Sequence, residues 1–439
     1  MNIERNGPVT MGQLSVLRSL HSYGPAGQRV ANLVSLWQVP VGTRTAQVVD
    51  AWRQLVEAHE SLRTVFEVRH DRPVQIVRRH AVQVPAIEVP GPDIKDGFIR
   101  AATARLAARW AANPIDFTTQ PPWRAFVATN QGNPHHLVTV VHHIAADYGA
   151  LQILKRQFQY LLSGASLKPQ PQPLDLALAQ LADPRLADAA AHWATRWGSF
   201  RPEDRYHDDF STRRRATLYS EEGLRAARRV SRRTGASPQA TVLALGALAL
   251  SRIKRRDQIT FGLMTANRLD EHWSSLISSL NQCVPLTVSV DEDQAPDDFL
   301  DEVYRGSLDA YLNGCFDVDA LATYVRRAGH EEEDPTFFSS HYNFLGAGDG
   351  EPPPDSPMRT AVAWRESTQR TGPNFHLVVA IEEGLLIGVG ASVDFLPGNL
   401  PARLAASIES GLLALADEPP ESLRKLRCPP RRDIGKRSS

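Results

Sequence analysis

Val138-Thr-Val-Val-His-His-Ile-Ala-Ala-Asp-Tyr-Gly-Ala-Leu151 is an apolar run that ends in two histidines, turns through a short loop carrying an aspartate, and enters a helix. Neighbouring side chains of an extended strand point to opposite faces. Leu137, Thr139, Val141 and His143 therefore share one face, and Val138, Val140 and His142 share the other. Two histidines at this spacing do not converge on one ion, which argues against a metal site. Instead one ring is free to face a cavity while the other bonds into the wall. Beyond the loop, Leu151, Leu154, Phe158, Leu161 and Leu162 recur at helical spacing, with Asp147 placed to cap the first turn.

Upstream, Trp123–Thr129 and His136–His143 flank Asn130-Gln131-Gly132-Asn133-Pro134 and predict a hairpin that delivers the histidines. Earlier still, Thr10 is a candidate cap for a helix carrying Leu14, Leu17 and Leu20. A second amphipathic helix over Ala46–His59 shows Val49, Trp52, Leu55 and Val56 on one face. It runs into His59-Glu-Ser-Leu-Arg-Thr-Val-Phe66, a helix end followed by a strand, in which His59 reads as structural and Arg63 can bind carbonyls or a carboxylate through its rigid fork.

Ser163-Gly-Ala-Ser-Leu-Lys-Pro-Gln-Pro-Gln-Pro173 cannot continue a helix and is the most credible linker. With 439 residues the chain is long enough for two cores, and the boundary is expected at 170/171. Past it come a helical stretch broken at Pro184, a buried Ala- and Leu-rich helix with Ser237 as cap, and a basic face carrying Arg228, Arg229, Arg232 and Arg233. Gln258–Arg268 is a buried strand ending in Asn-Arg, and the late stretches 335–346 and 374–395 run as strands.

Lys plus Arg and Asp plus Glu number 49 each, so net charge offers no argument for nucleic acid or a membrane as partner. Cys283, Cys315 and Cys428 are far apart and form no C-x-x-C pair, which fits a reducing, cytoplasmic setting. Cys283, in an apolar strand, reads as a packed thiol rather than a nucleophile. No stretch approaches the run of about 20 apolar residues that a membrane helix needs.

The central stretch resembles the His-His-x-x-x-Asp-Gly motif of the condensation-domain superfamily of nonribosomal peptide synthesis, which includes chloramphenicol acetyltransferase-like acyltransferases. Tyr148 stands where that family has Gly, with Gly149 just after it. His59–Phe66 is similar to the family's second motif, Thr10 and Gln13 to its first, and Pro114, Asp116, Phe117, Pro122 and Arg124 to the element before the histidines. Ile277–Leu286 resembles a later motif, with Gln282 and Cys283 replacing Asn and Thr. His341–Gly346 is also similar to a signature of the related epimerization domains.

The resemblance implies an α/β fold of two chloramphenicol acetyltransferase-like lobes, residues 1–170 and 171–420, in a V with a tunnel at the junction, followed by a basic tail over 421–439. It implies an acyltransferase that joins a carrier-bound acyl or aminoacyl thioester to an amine or hydroxyl, with His142, His143 and Asp147 as the catalytic motif and His143 the base or positioner. Arg268 would pair with Asp147 and, with Arg63, support the site; Tyr148, Gly149, Gln282 and Asn343 would line the tunnel. No bound cofactor or metal is expected, since substrates ride on the phosphopantetheine arms of carrier proteins acting in trans. A free-standing monomer is the expected form, with an epimerase or a non-catalytic recruitment module of the same fold as alternatives.

Overall fold

The computed structural model describes residues 3–70, 72–89, 96–201, 212–329, 338–347, 360–367, 372–381 and 383–426. It divides into two compact units: residues 1–190 with 266–282 and 315–320, and residues 191–265 with 283–314 and 321–439. Cys428 and most of the basic tail lie outside the described residues.

In the first unit the chain runs through β1 (Ile3–Pro8), α1 (Met11–Gly27), β2 (Asn32–Gln38), α2 (Thr45–Ala58), β3 (Thr64–Arg69), β4 (Arg72–Arg78), β5 (Ala86–Glu88), α3 (Asp96–Ala111), β6 (Trp123–Asn130), β7 (Asn133–His142), α4 (Tyr148–Leu162) and α5 (Pro173–Leu181); α6 (Arg185–Trp197) spans the division. The strands form a three-stranded sheet, β1-β4-β3, and a four-stranded sheet, β2-β7-β6-β5. The expected hairpin is β6–β7, and its turn places Gln131 at φ 50° and Gly132 at φ 76°. Two consecutive left-handed residues match the right-handed twist of the flanking strands.

Alternation along β7 holds. Val138 joins Phe126, Ala128 and Val89 in a cluster against Ala107 of α3. Leu137 pairs with Trp37, and Val141 with Trp123. Those tryptophans pack with Trp52 of α2 and Phe158 of α4, ring centroids 5.1–5.8 Å apart. On α2 the buried face is Val48, Ala51, Trp52, Leu55 and Val56. The expected Val49 is only partly buried, because the stripe turns one residue earlier to meet the sheet.

The Pro- and Gln-rich stretch at 163–173 connects α4 to α5 inside the first unit, and the chain passes out at 190/191. Two glutamines hold it there: the Gln172 amide donates to Ala58 O at 2.9 Å while accepting from Glu60 N–H at 2.9 Å, and Gln157 of α4 donates to Gln170 Oε1 at 3.0 Å. Hydrogen bonds back to the core make this a pinned connection rather than a boundary.

The second unit contains β8 (Arg213–Ser220), α7 (Glu221–Thr234), α8 (Pro238–Lys254), β9 (Gln258–Thr265), β10 (Gln282–Ser289), α9 (Pro296–Leu312), α10 (Val318–Arg327), β11 (Ser340–Ala347), β12 (Thr360–Ser367), β13 (Phe375–Ile381), β14 (Leu385–Ser392) and α11 (Leu400–Asp417), with Gln282 and the first turn of α10 counted in the first. Seven strands line up as β10-β9-β11-β13-β14-β8-β12. Leu218, Leu377, Val379, Ile387 and Val389 are fully buried on one face of this sheet. Leu377 lies against Gly246 of α8, and the hydroxyl of Tyr342 donates to the Gln239 carbonyl at 2.7 Å. Ser237 caps α8 as expected. The basic face of α7 meets acidic residues of its own unit, Arg233 on Asp297 at 2.8 Å and Arg229 on Asp417 at 3.4 Å. Cys283 is buried in β10. No described helix is long and apolar enough to cross a membrane.

Candidate functional site

His142 is the last residue of β7, and His143 opens the turn that follows. Extended pairing carries on past the strand: His142 N–H donates to Pro122 O at 2.8 Å and His143 N–H to Ala31 O at 2.7 Å, so the two rings are held to opposite sides. His142 is buried, its ring tilted against Phe117 with centroids 4.6 Å apart, and its Nδ1 accepts from Ile144 N–H at 3.1 Å. Burial, with a lesser push from His143, lowers its pKa to about 3. It is a neutral wall residue.

His143 is half-buried. Its Nδ1 lies 3.3 Å from Ser279 Oγ, whose hydroxyl donates to Asn281 Oδ1 at 2.9 Å. A serine that gives its proton to Asn281 offers a lone pair to the ring, so Nδ1 carries the proton and Nε2 is left as an acceptor. Nε2 has no hydrogen-bond partner among the described residues. Desolvation holds the His143 pKa below its ordinary value, opposed by a bond to its own backbone and by the charge of Asp147. The ring is therefore neutral near pH 7.

The turn is clamped from several sides. Ser61 Oγ donates to Ala145 O at 2.7 Å. Asp147 caps α4 through Oδ1, which accepts from Ala150 N–H at 2.7 Å and from Arg268 Nη2 at 2.7 Å, while Oδ2 accepts from Leu280 N–H at 3.0 Å. Arg268 also donates to Leu276 O at 2.7 Å and Ser278 O at 3.2 Å. One buried ion pair thus ties the histidine turn to the loop over 274–282. A buried carboxylate with donors on both oxygens and a counter-charge is held, not free to react.

Two glycines make room for this. A β-carbon on Gly149 would stand 2.9 Å from Arg268 Nε, and one on Gly12 would stand 2.6 Å from Leu280 Cα. The Gly149 backbone is not left-handed, so its bareness serves close approach. At the start of α1, Thr10 and Gln13 cap each other, Gln13 N–H to Thr10 Oγ1 at 3.2 Å and Thr10 N–H to Gln13 Oε1 at 2.9 Å.

The structure thus gathers His142, His143, Asp147, Gly149 and Arg268, with Tyr148 39% exposed at the first turn of α4. It does not bring Arg63 to Asp147, whose partners are Ala150, Arg268 and Leu280. Gln282 departs from its expected place in a tunnel wall: it is buried, and its amide donates to Phe316 O at 2.9 Å and accepts from Phe316 N–H at 3.2 Å. Asn343 sits in β11 of the second unit, partly exposed. His59 is buried against Gln157 at 2.6 Å, and burial lowers its pKa to about 4. Sequence reasoning misses Ser279, Ser61 and Gly12. All three lie inside stretches that the motifs single out, at positions where no residue type is demanded.

The model of the condensation-domain family matches residues 31–372, and the chain belongs to that family. Phosphinothricin tripeptide synthetase of Streptomyces viridochromogenes is 25% identical over 330 residues, 71% of this chain and 30% of that protein. Cyclosporin synthetase of Tolypocladium inflatum is 35% identical over 134 residues, 30% of this chain and 1% of that protein. The chain spans less than a third of the length of either relative. The condensation domain of the monacolin K polyketide synthase aligns with a TM-score of 0.77 at 17% identity, covering 96% of this chain and 100% of that one. The first condensation domain of the CDA synthetase gives 0.73 at 16%, covering 97% and 99%. These likenesses establish the α/β condensation-domain fold.

Proposed function

We propose that the chain is a condensation enzyme of nonribosomal peptide or hybrid polyketide biosynthesis, transferring an acyl or aminoacyl group from a carrier-protein thioester to an amine or hydroxyl. The observation that carries this reading is the neutral His143 ring, its Nδ1 turned to Ser279 and its Nε2 unengaged. Such a nitrogen accepts the proton of an attacking nucleophile as its bond to the thioester carbonyl forms and the pantetheine thiolate leaves. General-base help of this kind is worth about 10²–10⁴-fold, and holding both partners adds to it. Asp147 and Arg268 act on the turn and not on substrate. Substrates arrive on phosphopantetheine arms, and carrier proteins are the partners in this reading. Intact-mass assay of a loaded donor carrier with small amine and alcohol acceptors tests it. Acyl transfer that disappears in His143→Ala supports the reading, and transfer at an unchanged rate in folded His143→Ala sinks it.

The epimerase alternative rests on His341–Gly346. There Tyr342 is 1% exposed and spends its hydroxyl on Gln239 O, which accounts for that residue by packing.

A further inference from the structure

The second unit's seven-stranded sheet has one face covered by its helices. On the other face β14 presents Gly388 and Gly390, in register with Val378 and His376 of β13 on one side and with Thr217 and Arg215 of β8 on the other. Two glycines between side-chain-bearing strands leave a trough. A β-carbon on Gly390 would meet nothing closer than 3.9 Å, so no packing demand explains its bareness. Arg213, Arg214, Arg215, His376, Val378 and Gly390 help to enclose a cleft of about 90 Å³ here.

The polar groups of this cleft are unevenly employed. Arg213 donates to the carbonyls of Gly372 and Pro373, and Arg214 to Gly398 O at 3.3 Å. Arg215 is exposed, its guanidinium 3.3 Å from where a Gly388 β-carbon would lie, and no carboxylate of the described residues lines the cleft. His376 Nε2 is shut away from solvent with no hydrogen-bond partner among the described residues. An unpaired buried ring nitrogen is costly, and an arginine laid over bare backbone beside it presents a fork that matches a carboxylate. The charges of Arg215 and Arg213 add to burial in keeping His376 neutral, which places both guanidinium groups within electrostatic reach of the ring.

We infer that the trough over Gly390 is a binding site for a short carboxylate-bearing ligand, gripped by Arg215 with His376 in its wall. The cleft is small and open to solvent, which suits a carboxylate on a short stem. An acidic side group on an acyl or acceptor substrate has this chemistry. The site stands independently of the condensation reading, since its test needs no turnover.

Arg215 labelling by phenylglyoxal, read by peptide mass on the whole chain, reports occupancy. Succinate should slow Arg215 labelling by tenfold or more, while neutral succinamide has no effect and inorganic phosphate protects far less. Gly390→Val, which fills the trough, should abolish protection by succinate with an unchanged melting curve; Gly390→Ala should weaken it in the same direction if the valine variant melts early. Absence of protection by succinate, equal protection by phosphate or succinamide, or full protection in both Gly390 variants overturns the inference.

Discussion

Gly149 and Arg268 share one space: a β-carbon on Gly149 would stand 2.9 Å from Arg268 Nε and 3.4 Å from Asp147 Oδ1, so the ion pair beside the histidine turn exists because this helix position is bare. Gly149→Ala should push the guanidinium off Asp147, cost about 1–3 kcal/mol and lower activity. Arg268→Ala should relieve the clash, so adding Gly149→Ala to it should cost almost nothing more. Denaturant melts of the four proteins check this, and additive losses would show that Gly149 acts elsewhere.

The pair itself is buried, with side-chain exposures of 12% for Arg268 and 6% for Asp147. Removing either partner strands a buried charge, and single variants Asp147→Ala and Arg268→Ala should each lose about 3–5 kcal/mol along with activity. Stable but inactive single variants would assign the two residues to chemistry directly.

The fold and the histidine site are legible in the amino-acid order for different reasons. Alternation in Val138–His143 is enough to send the two rings to opposite faces, because a strand's period of two is set by the backbone. The cap at Asp147 and the strand ending at Arg268 are likewise readable from residue type and place. What the sequence hides is what backbone atoms and empty space do. Leu280 holds Asp147 through its N–H, which any residue but proline would supply, and Gly12 and Gly149 matter for atoms they lack. Ser279 looks like filler in an apolar stretch, since nothing local says that its hydroxyl meets a ring 136 positions away. The division between units is equally hidden. A Pro-rich run marks where regular structure stops, and the bonds of Gln172 to Ala58 and Glu60 and of Gln170 to Gln157 show that this run stays pinned to the first unit.

Ser279 gives a direct test of how His143 is set. In Ser279→Ala the ring loses the serine hydroxyl and keeps only the bond to its own backbone, so kcat should fall between about ten- and a hundredfold with little change in KM for the acceptor. Ser279→Thr, which keeps the hydroxyl, should restore most of it. Because burial lowers the His143 pKa, activity of the wild type should hold down to a pH below the ordinary histidine value and fall only under it. Loss of activity through KM alone, or no rescue by threonine, would remove Ser279 from the positioning of the base.

His142 predicts an acid sensitivity of the fold. Its folded pKa, about 3, lies below the value of 6.5 expected in the unfolded chain, so between these the unfolded state binds the extra proton. The stability it contributes is fully present above pH 6.5 and is lost progressively as pH falls toward 3. Protonation would also remove the Nδ1 lone pair that accepts from Ile144 N–H. Urea midpoints between about pH 7 and pH 4 should fall less steeply in His142→Gln than in the wild type, although the variant starts lower. Parallel slopes would place the acid sensitivity at other histidines of lowered pKa, among them His59, His341 and His376.

Tyr148 is where the central motif departs from its family, and its phenol is 39% exposed at the first turn of α4, just past the turn that His143 opens. We propose that this ring narrows the approach to the histidine on one side. On that reading slim acceptors are favoured, and Tyr148→Gly should raise kcat/KM selectively for bulkier ones while leaving small acceptors and the melting curve nearly unchanged. Measuring kcat/KM across a graded series of amine or alcohol acceptors separates this from a packing role. A uniform change over the series, or none, would leave Tyr148 as a surface residue of α4.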